Sequence, residues 1–122
     1  PAVKAICHCI RAHKGKAETP NTIEAKILYD ADVLEKAGLI YFILGGKIVC
    51  EFEETVEDFL NREIADRSKE LKRGFYTRKG RELDGGRLAQ VKSLLSQTLK
   101  EMQQDRPDYQ VGESDLWEKP VP

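Results

Sequence analysis

Cysteine is scarce in this chain, with Cys7, Cys9 and Cys50 alone among 122 residues, and they form neither a Cys-x-x-Cys pair nor a zinc-ligand spacing. A disulfide scaffold is excluded, and the three read as reduced thiols. Long apolar runs are also missing: the longest, Leu39 to Leu44, is far shorter than a bilayer requires. No basic-then-apolar leader precedes a small-residue cleavage site, so a cytoplasmic location is the expectation. Charge of one sign is not in excess, with 20 Lys+Arg against 21 Asp+Glu and a net charge of -1. This argues against nucleic acid as the partner and makes any polyanion site a local feature. Internal repeats and low-complexity tracts are absent.

The remaining composition, 40% hydrophobic and 34% charged, is that of one small globular domain. At this length a chain buries roughly two-thirds of its unfolded surface, enough for one core. Val3, Ile6, Cys7 and Ile10 recur at helical spacing until the polar loop from Lys14 to Pro20, which predicts a first helix. Asn21 or Thr22 caps a second, Ile23 to Ala37, with Glu24 in its first turn and Gly38 beyond its end. That helix is apolar on nearly every side, which predicts a central, buried position.

The run Leu39 to Leu44 predicts a short helix broken at Gly45 and Gly46. Phe52, Val56, Phe59, Leu60, Ile64, Leu71 and Phe75 mark a long helix ended near Gly74, and Leu88, Val91, Leu95, Leu99 and Met102 mark a last one in near-heptad spacing. The expectation is an all-α bundle of about five helices over residues 3–106. Residues 107–122 read as a disordered or loosely docked tail.

Two carboxylates, Asp30 and Asp32, interrupt the apolar second helix, and a buried carboxylate needs a cation, a metal or several hydrogen bonds. Residues two apart point about 200° apart on a helix, so at most one of them faces a given site. The helical wheel sets Asp30 beside Ile23, Ile27, Ala31 and Leu34, and Asp32 beside Leu28 and Ala25. Of the two histidines, His13 borders the Ile6, Cys9 and Ile10 side at the helix C-terminus and is the better site candidate. His8 shares a polar face with Lys4 and Arg11. An acidic block from Glu51 to Asp66 precedes a basic cluster of Arg67, Lys69, Lys72, Arg73, Arg78, Lys79 and Arg81. These are read either as solvated faces that pair with each other or as a phosphate-facing patch at Arg78, Lys79 and Arg81 near Gly80.

Two segments carry a resemblance to a known family. Ala5-Ile-Cys-His-Cys-Ile-Arg-Ala-His13 resembles a helix ending in Ile-x-x-His ahead of a loop, and Glu24-Ala-Lys-Ile-Leu-Tyr-Asp-Ala-Asp-Val-Leu-Glu-Lys-Ala-Gly38 is similar to an Asp-Ala-Asp segment. Phe75-Tyr-Thr-Arg-Lys-Gly-Arg81 resembles the turn that follows later. All three are similar to segments in the later part of the HD-domain metal-dependent phosphohydrolase superfamily, and the similarity spans about residues 3–103.

The resemblance implies a helical bundle that holds a divalent metal (Mn, Ni, Fe or Mg) and hydrolyses a phosphate ester of a small molecule or nucleotide. Asp32 and His13 would be metal ligands, Asp30 a catalytic or substrate-side residue, and Arg78, Lys79 and Arg81 phosphate contacts. The His-Asp dipeptide that names the family does not occur in this chain. The alternative is therefore a helical interaction or regulatory module that has lost the reaction, completed by a second copy or by an N-terminal partner segment.

Overall fold

The computed structural model describes residues 1–104, and these fold as six helices. They are α1 (Ala2–Ala12), α2 (Ile23–Glu35), α3 (Leu39–Glu51), α4 (Val56–Arg73), α5 (Arg78–Asp84) and α6 (Arg87–Gln104). The all-α expectation holds, with one more helix than the pattern implied. Among the described residues no helix is long and apolar enough to cross a membrane. The expected tail, 107–122, lies outside the described residues.

Short polar side chains start three of the helices. Thr22, Thr55 and Thr77 each accept a backbone N–H three residues on, from Ala25, Asp58 and Gly80 respectively. Gly74 ends α4 at φ +73°, a conformation that would strain a residue bearing a Cβ. Gly38 departs from expectation. It is the N-cap of α3 rather than the stop of α2, which already ends at Glu35.

The scaffold is the α4–α6 pair. Leu88, Val91 and Leu95 are buried along the near-heptad stripe of α6, and Phe59 and Leu60 of α4 close on Val91 and Leu95. Phe42, Ile48 and Val49 of α3 pack on the same cluster. A second cluster joins Tyr29, Val33 and Ala37 of the α2 region to Leu88, with Phe75 and Tyr76 against it. Tyr76 meets Tyr29 edge to face, with ring centroids 5.0 Å apart.

Two expectations fail for identifiable reasons. Helix α3 runs unbroken through Gly45 and Gly46, because Gly45 is where α3 touches α4. A Cβ built there would lie 2.8 Å from Cζ of Phe59, so the absent side chain permits close approach and the backbone keeps helical bonding. A Cβ on Gly46 meets nothing within 4 Å. Gly45→Ala is therefore expected to destabilise the fold by about 1–3 kcal/mol through overpacking. Gly46→Ala is expected to stabilise by about 0.5–1 kcal/mol through helix propensity alone. Urea unfolding of the two variants checks the opposite signs, and equal effects would refute the packing account.

Nor is α2 central. It packs on α1 and α5 and buries Ala25, Tyr29, Asp30 and Val33, while Ile23 and Ile27 are 59% and 55% exposed. Helix α1 is turned against its own pattern. It presents His8 and Ala12 to the bundle, and its apolar stripe, Val3, Ile6 and Ile10, is 72%, 58% and 60% exposed.

Candidate functional site

A cleft of about 320 Å³ opens between α2, α4 and the loop joining α1 to α2. Its position follows from local features. The loop is pinned by Arg73 at the end of α4, whose Nη1 donates to the Lys14 carbonyl at 3.4 Å and to the Tyr29 hydroxyl at 3.2 Å. The guanidinium also lies 5.7 Å above the Tyr29 ring. Gly15, at φ +63°, fits beneath it; a Cβ there would meet Arg73 Nη1 at 2.7 Å and Tyr29 at 3.0 Å. Lys14 and Lys16 are thereby held at the cleft edge.

The floor is ionic. Arg67, 1% exposed, lies between Glu63 at 3.2 Å and Glu70 at 2.7 Å. The closer contact, Nε to Oε2, is an ion pair without hydrogen-bond alignment, and a second nitrogen donates to Glu70 Oε1 at 3.1 Å. The same guanidinium sits 5.8 Å over the Tyr41 ring, and the Tyr41 hydroxyl donates to Glu63 at 3.2 Å. Lys36 continues the chain, 3.2 Å from Asp32 and 3.8 Å from Glu70.

Burial sets the proton affinities here. It pushes the Tyr41 hydroxyl up to about 12, with the Glu63 charge adding to the effect. Burial likewise raises Tyr29, against the hydrogen bond from Arg73. It raises Glu70 too, a shift that Arg67 and Lys36 reduce but do not cancel.

The two motif carboxylates have separate surroundings. Asp30, 3% exposed, accepts from the backbone N–H groups of Tyr76 and Thr77 at 2.9 and 2.8 Å and from the Thr77 hydroxyl at 2.6 Å. Thr77 Oγ1 in turn accepts from Gly80 N–H at 2.9 Å, so Asp30 supports the cap of α5. Gly80 is small because it lies against this carboxylate; a Cβ there would fall 2.5 Å from Oδ2. Asp32 instead lines the ionic cleft and is half-buried.

The other expected site residues lie elsewhere. His13 does not line the cleft; its Nδ1 bonds the Ile10 carbonyl at 2.5 Å, closing off the end of α1. His8 is the more buried histidine, accepting from Asn21 N–H at 3.1 Å through Nε2, with Glu18 at 3.3 Å from Nδ1. Acceptance at Nε2 requires the ring proton to sit on Nδ1, facing that carboxylate. Its partner Glu18 is held below the usual carboxylate range by the Arg11 hydrogen bond. Arg78 and Lys79 project from α5 within 3.5 and 4.0 Å of Glu82, and neither they nor Arg81 lines the ionic cleft.

Comparison with protein-family models, curated proteins and solved structures found no match to this chain. The site rests on its own geometry. Among the described residues no group of three or more His, Cys, Asp or Glu side chains is arranged to hold a metal ion. Asp32 has a lysine, not a second carboxylate or an imidazole, as its near neighbour, so the residues present do not by themselves fit a divalent metal.

Sequence reasoning passed over most of this cleft. Glu63 and Arg67 read as members of solvated charge blocks and Glu70 belongs to neither block, although the spacing of all three continues the inward stripe of Phe59 and Leu60 along α4. Charged residues at apolar positions of a helical repeat were the available signal. Lys14 and Lys16 carry none, because long-range contacts, the bond from Arg73 and the Lys16–Asp66 pair, bring their loop to α4.

Proposed function

We propose that the chain forms the substrate-side part of an HD-type phosphohydrolase domain, acting on the phosphate ester of a small molecule or nucleotide. Asp32 is its reactive-site carboxylate. The observation that carries this reading is the division between the motif carboxylates: Asp30 is consumed by three hydrogen bonds, whereas Asp32 borders a cleft rich in Lys and Arg. A phosphate ester is a fitting ligand for such a cleft, since guanidinium and ammonium groups offset its charge. Asp32 alone is too few donors for a catalytic metal, and the other lining carboxylates are paired with cations, so the remaining donors come from a second copy of the chain. His13, outside the cleft, is a weaker candidate than the resemblance implies.

A second reading has its own support. The stripe Val3, Ile6 and Ile10 points away from the bundle, as expected of a helical interaction module whose α1 is covered by a partner. The two readings separate experimentally. Metal content and phosphomonoester hydrolysis are measured on the purified chain with added manganese, beside Asp32→Asn, and its mass in solution is determined. Near-stoichiometric metal and turnover that both vanish in Asp32→Asn support the phosphohydrolase reading. Metal and turnover that are absent, or indifferent to Asp32→Asn, overturn it in favour of the interaction module.

A further inference from the structure

The ionic cleft is lined by seven basic residues and four acidic ones. Every lining carboxylate already has a cation: Asp32 has Lys36, Glu63 and Glu70 have Arg67, and Asp66 has Lys16 at 3.6 Å. Arg62 is taken up outside the cleft by a two-nitrogen contact with Glu54. Three cations remain. Lys14 and Lys69 have no carboxylate within ion-pair distance among the described residues, and Arg73 bonds only neutral oxygens. Both of those bonds use Nη1, so the Nε–H and Nη2 donors of Arg73 have no protein partner among the described residues.

Like charges converging on one concavity repel each other, and the same concavity concentrates field lines on an arriving anion. We propose that Lys14, Lys69 and Arg73 form a subsite for the dianionic phosphate group of a small phosphomonoester. Three donors approaching from the α1–α2 loop and from α4 suit a tetrahedral dianion better than a planar monoanionic carboxylate. At about 320 Å³ the cleft is at the small end of ligand pockets, a size that suits a small phosphomonoester.

Arg73 has a double part, orienting the Lys14–Lys16 loop through Nη1 and offering its other nitrogens to the ligand. The inference rests on the phosphohydrolase reading for the role of the cleft, and it moves phosphate recognition from Arg78, Lys79 and Arg81 on α5 to the opposite wall of α2.

The test is titration of the full chain with inorganic phosphate, with AMP, and with adenosine as the phosphate-free control. It is followed by calorimetry and by the amide resonance of Gly15. Phosphate and AMP are expected to saturate and shift Gly15, and adenosine is not. Lys14→Ala/Lys69→Ala, at exposed positions and so neutral for folding, is expected to weaken binding about tenfold or more. Arg78→Ala/Lys79→Ala is expected to change it less than twofold. Raising the salt concentration weakens a phosphate contact of this kind.

AMP binding tighter than inorganic phosphate with the same lysine dependence identifies an ester as the ligand. Inorganic phosphate binding without AMP binding overturns the assignment to a phosphomonoester. Failure of both to saturate, or affinity unchanged by the lysine pair but lost with the α5 pair, overturns the subsite itself. Asp32→Asn separates this inference from the one beneath it. Phosphate binding that survives Asp32→Asn in a chain without turnover would sustain the subsite while removing the hydrolase reading. Metal-dependent turnover without lysine-dependent binding would do the reverse.

Discussion

Asp30→Ala is expected to destabilise the bundle by about 3–5 kcal/mol, more than any other single change in α2. The carboxylate accepts two backbone N–H groups and a hydroxyl, and all three donors belong to the segment that enters α5. Removing it leaves the Tyr76 and Thr77 amides without an acceptor, at about 1–3 kcal/mol each, and ends the support that Thr77 gives to the cap of α5. Asp30→Asn keeps one carbonyl acceptor but turns an amide N–H₂ toward donors, so its cost falls between alanine and wild type. Urea unfolding followed by circular dichroism gives the magnitude, and hydrogen exchange at residues 75–84 gives the location. A loss under about 1 kcal/mol, or one spread evenly over the helices, would show that the hydrogen bonds to Asp30 are dispensable. Asp30 is in that case free for the catalytic part that the motif resemblance implies.

Arg67→Ala is the second large effect, expected at about 3–5 kcal/mol, because truncation leaves Glu63 and Glu70 facing each other across a buried void. The raised proton affinity of Glu70 already records how little its burial is compensated. A partner substitution separates charge from volume. Arg67→Met combined with Glu63→Gln removes one of the two opposed charge pairs at nearly constant size, so the double variant is expected to be more stable than the sum of the singles predicts. Denaturant unfolding of the four proteins closes the cycle. Strict additivity would mean that Arg67 acts through packing over Tyr41 rather than through its carboxylate partners.

These two networks explain how much of the site was legible. Hydrophobic spacing located α1, α2, α4 and α6, and the apolar segment at α3, because an amphipathic stripe is visible whatever it packs against. It does not say which way a stripe faces, and it placed α2 at the centre. Val3, Ile6 and Ile10 announce α1 and then point outward, since the surface that α1 meets on α2 is filled by Ala12 and His8. The same ambiguity divided Asp30 from Asp32. Their 200° separation was predictable from helix geometry, while the occupant of each direction was not, because Tyr76 and Thr77 lie 46 and 47 residues along the chain from Asp30.

The sequence by itself determined that the described residues are helical, with no helix among them long and apolar enough to cross a membrane, and that two carboxylates lie on opposite sides of one helix. Those properties depend on composition and on neighbours three or four residues apart. Tertiary structure decided the rest: that Gly45 is a contact point and not a break, that Asp30 holds the cap residue of a distant helix, and that Lys14, Lys69 and Arg73 share a cleft. Each depends on side chains far apart in sequence meeting across the packed helices, where close packing and the desolvation of charge, rather than local periodicity, select the arrangement.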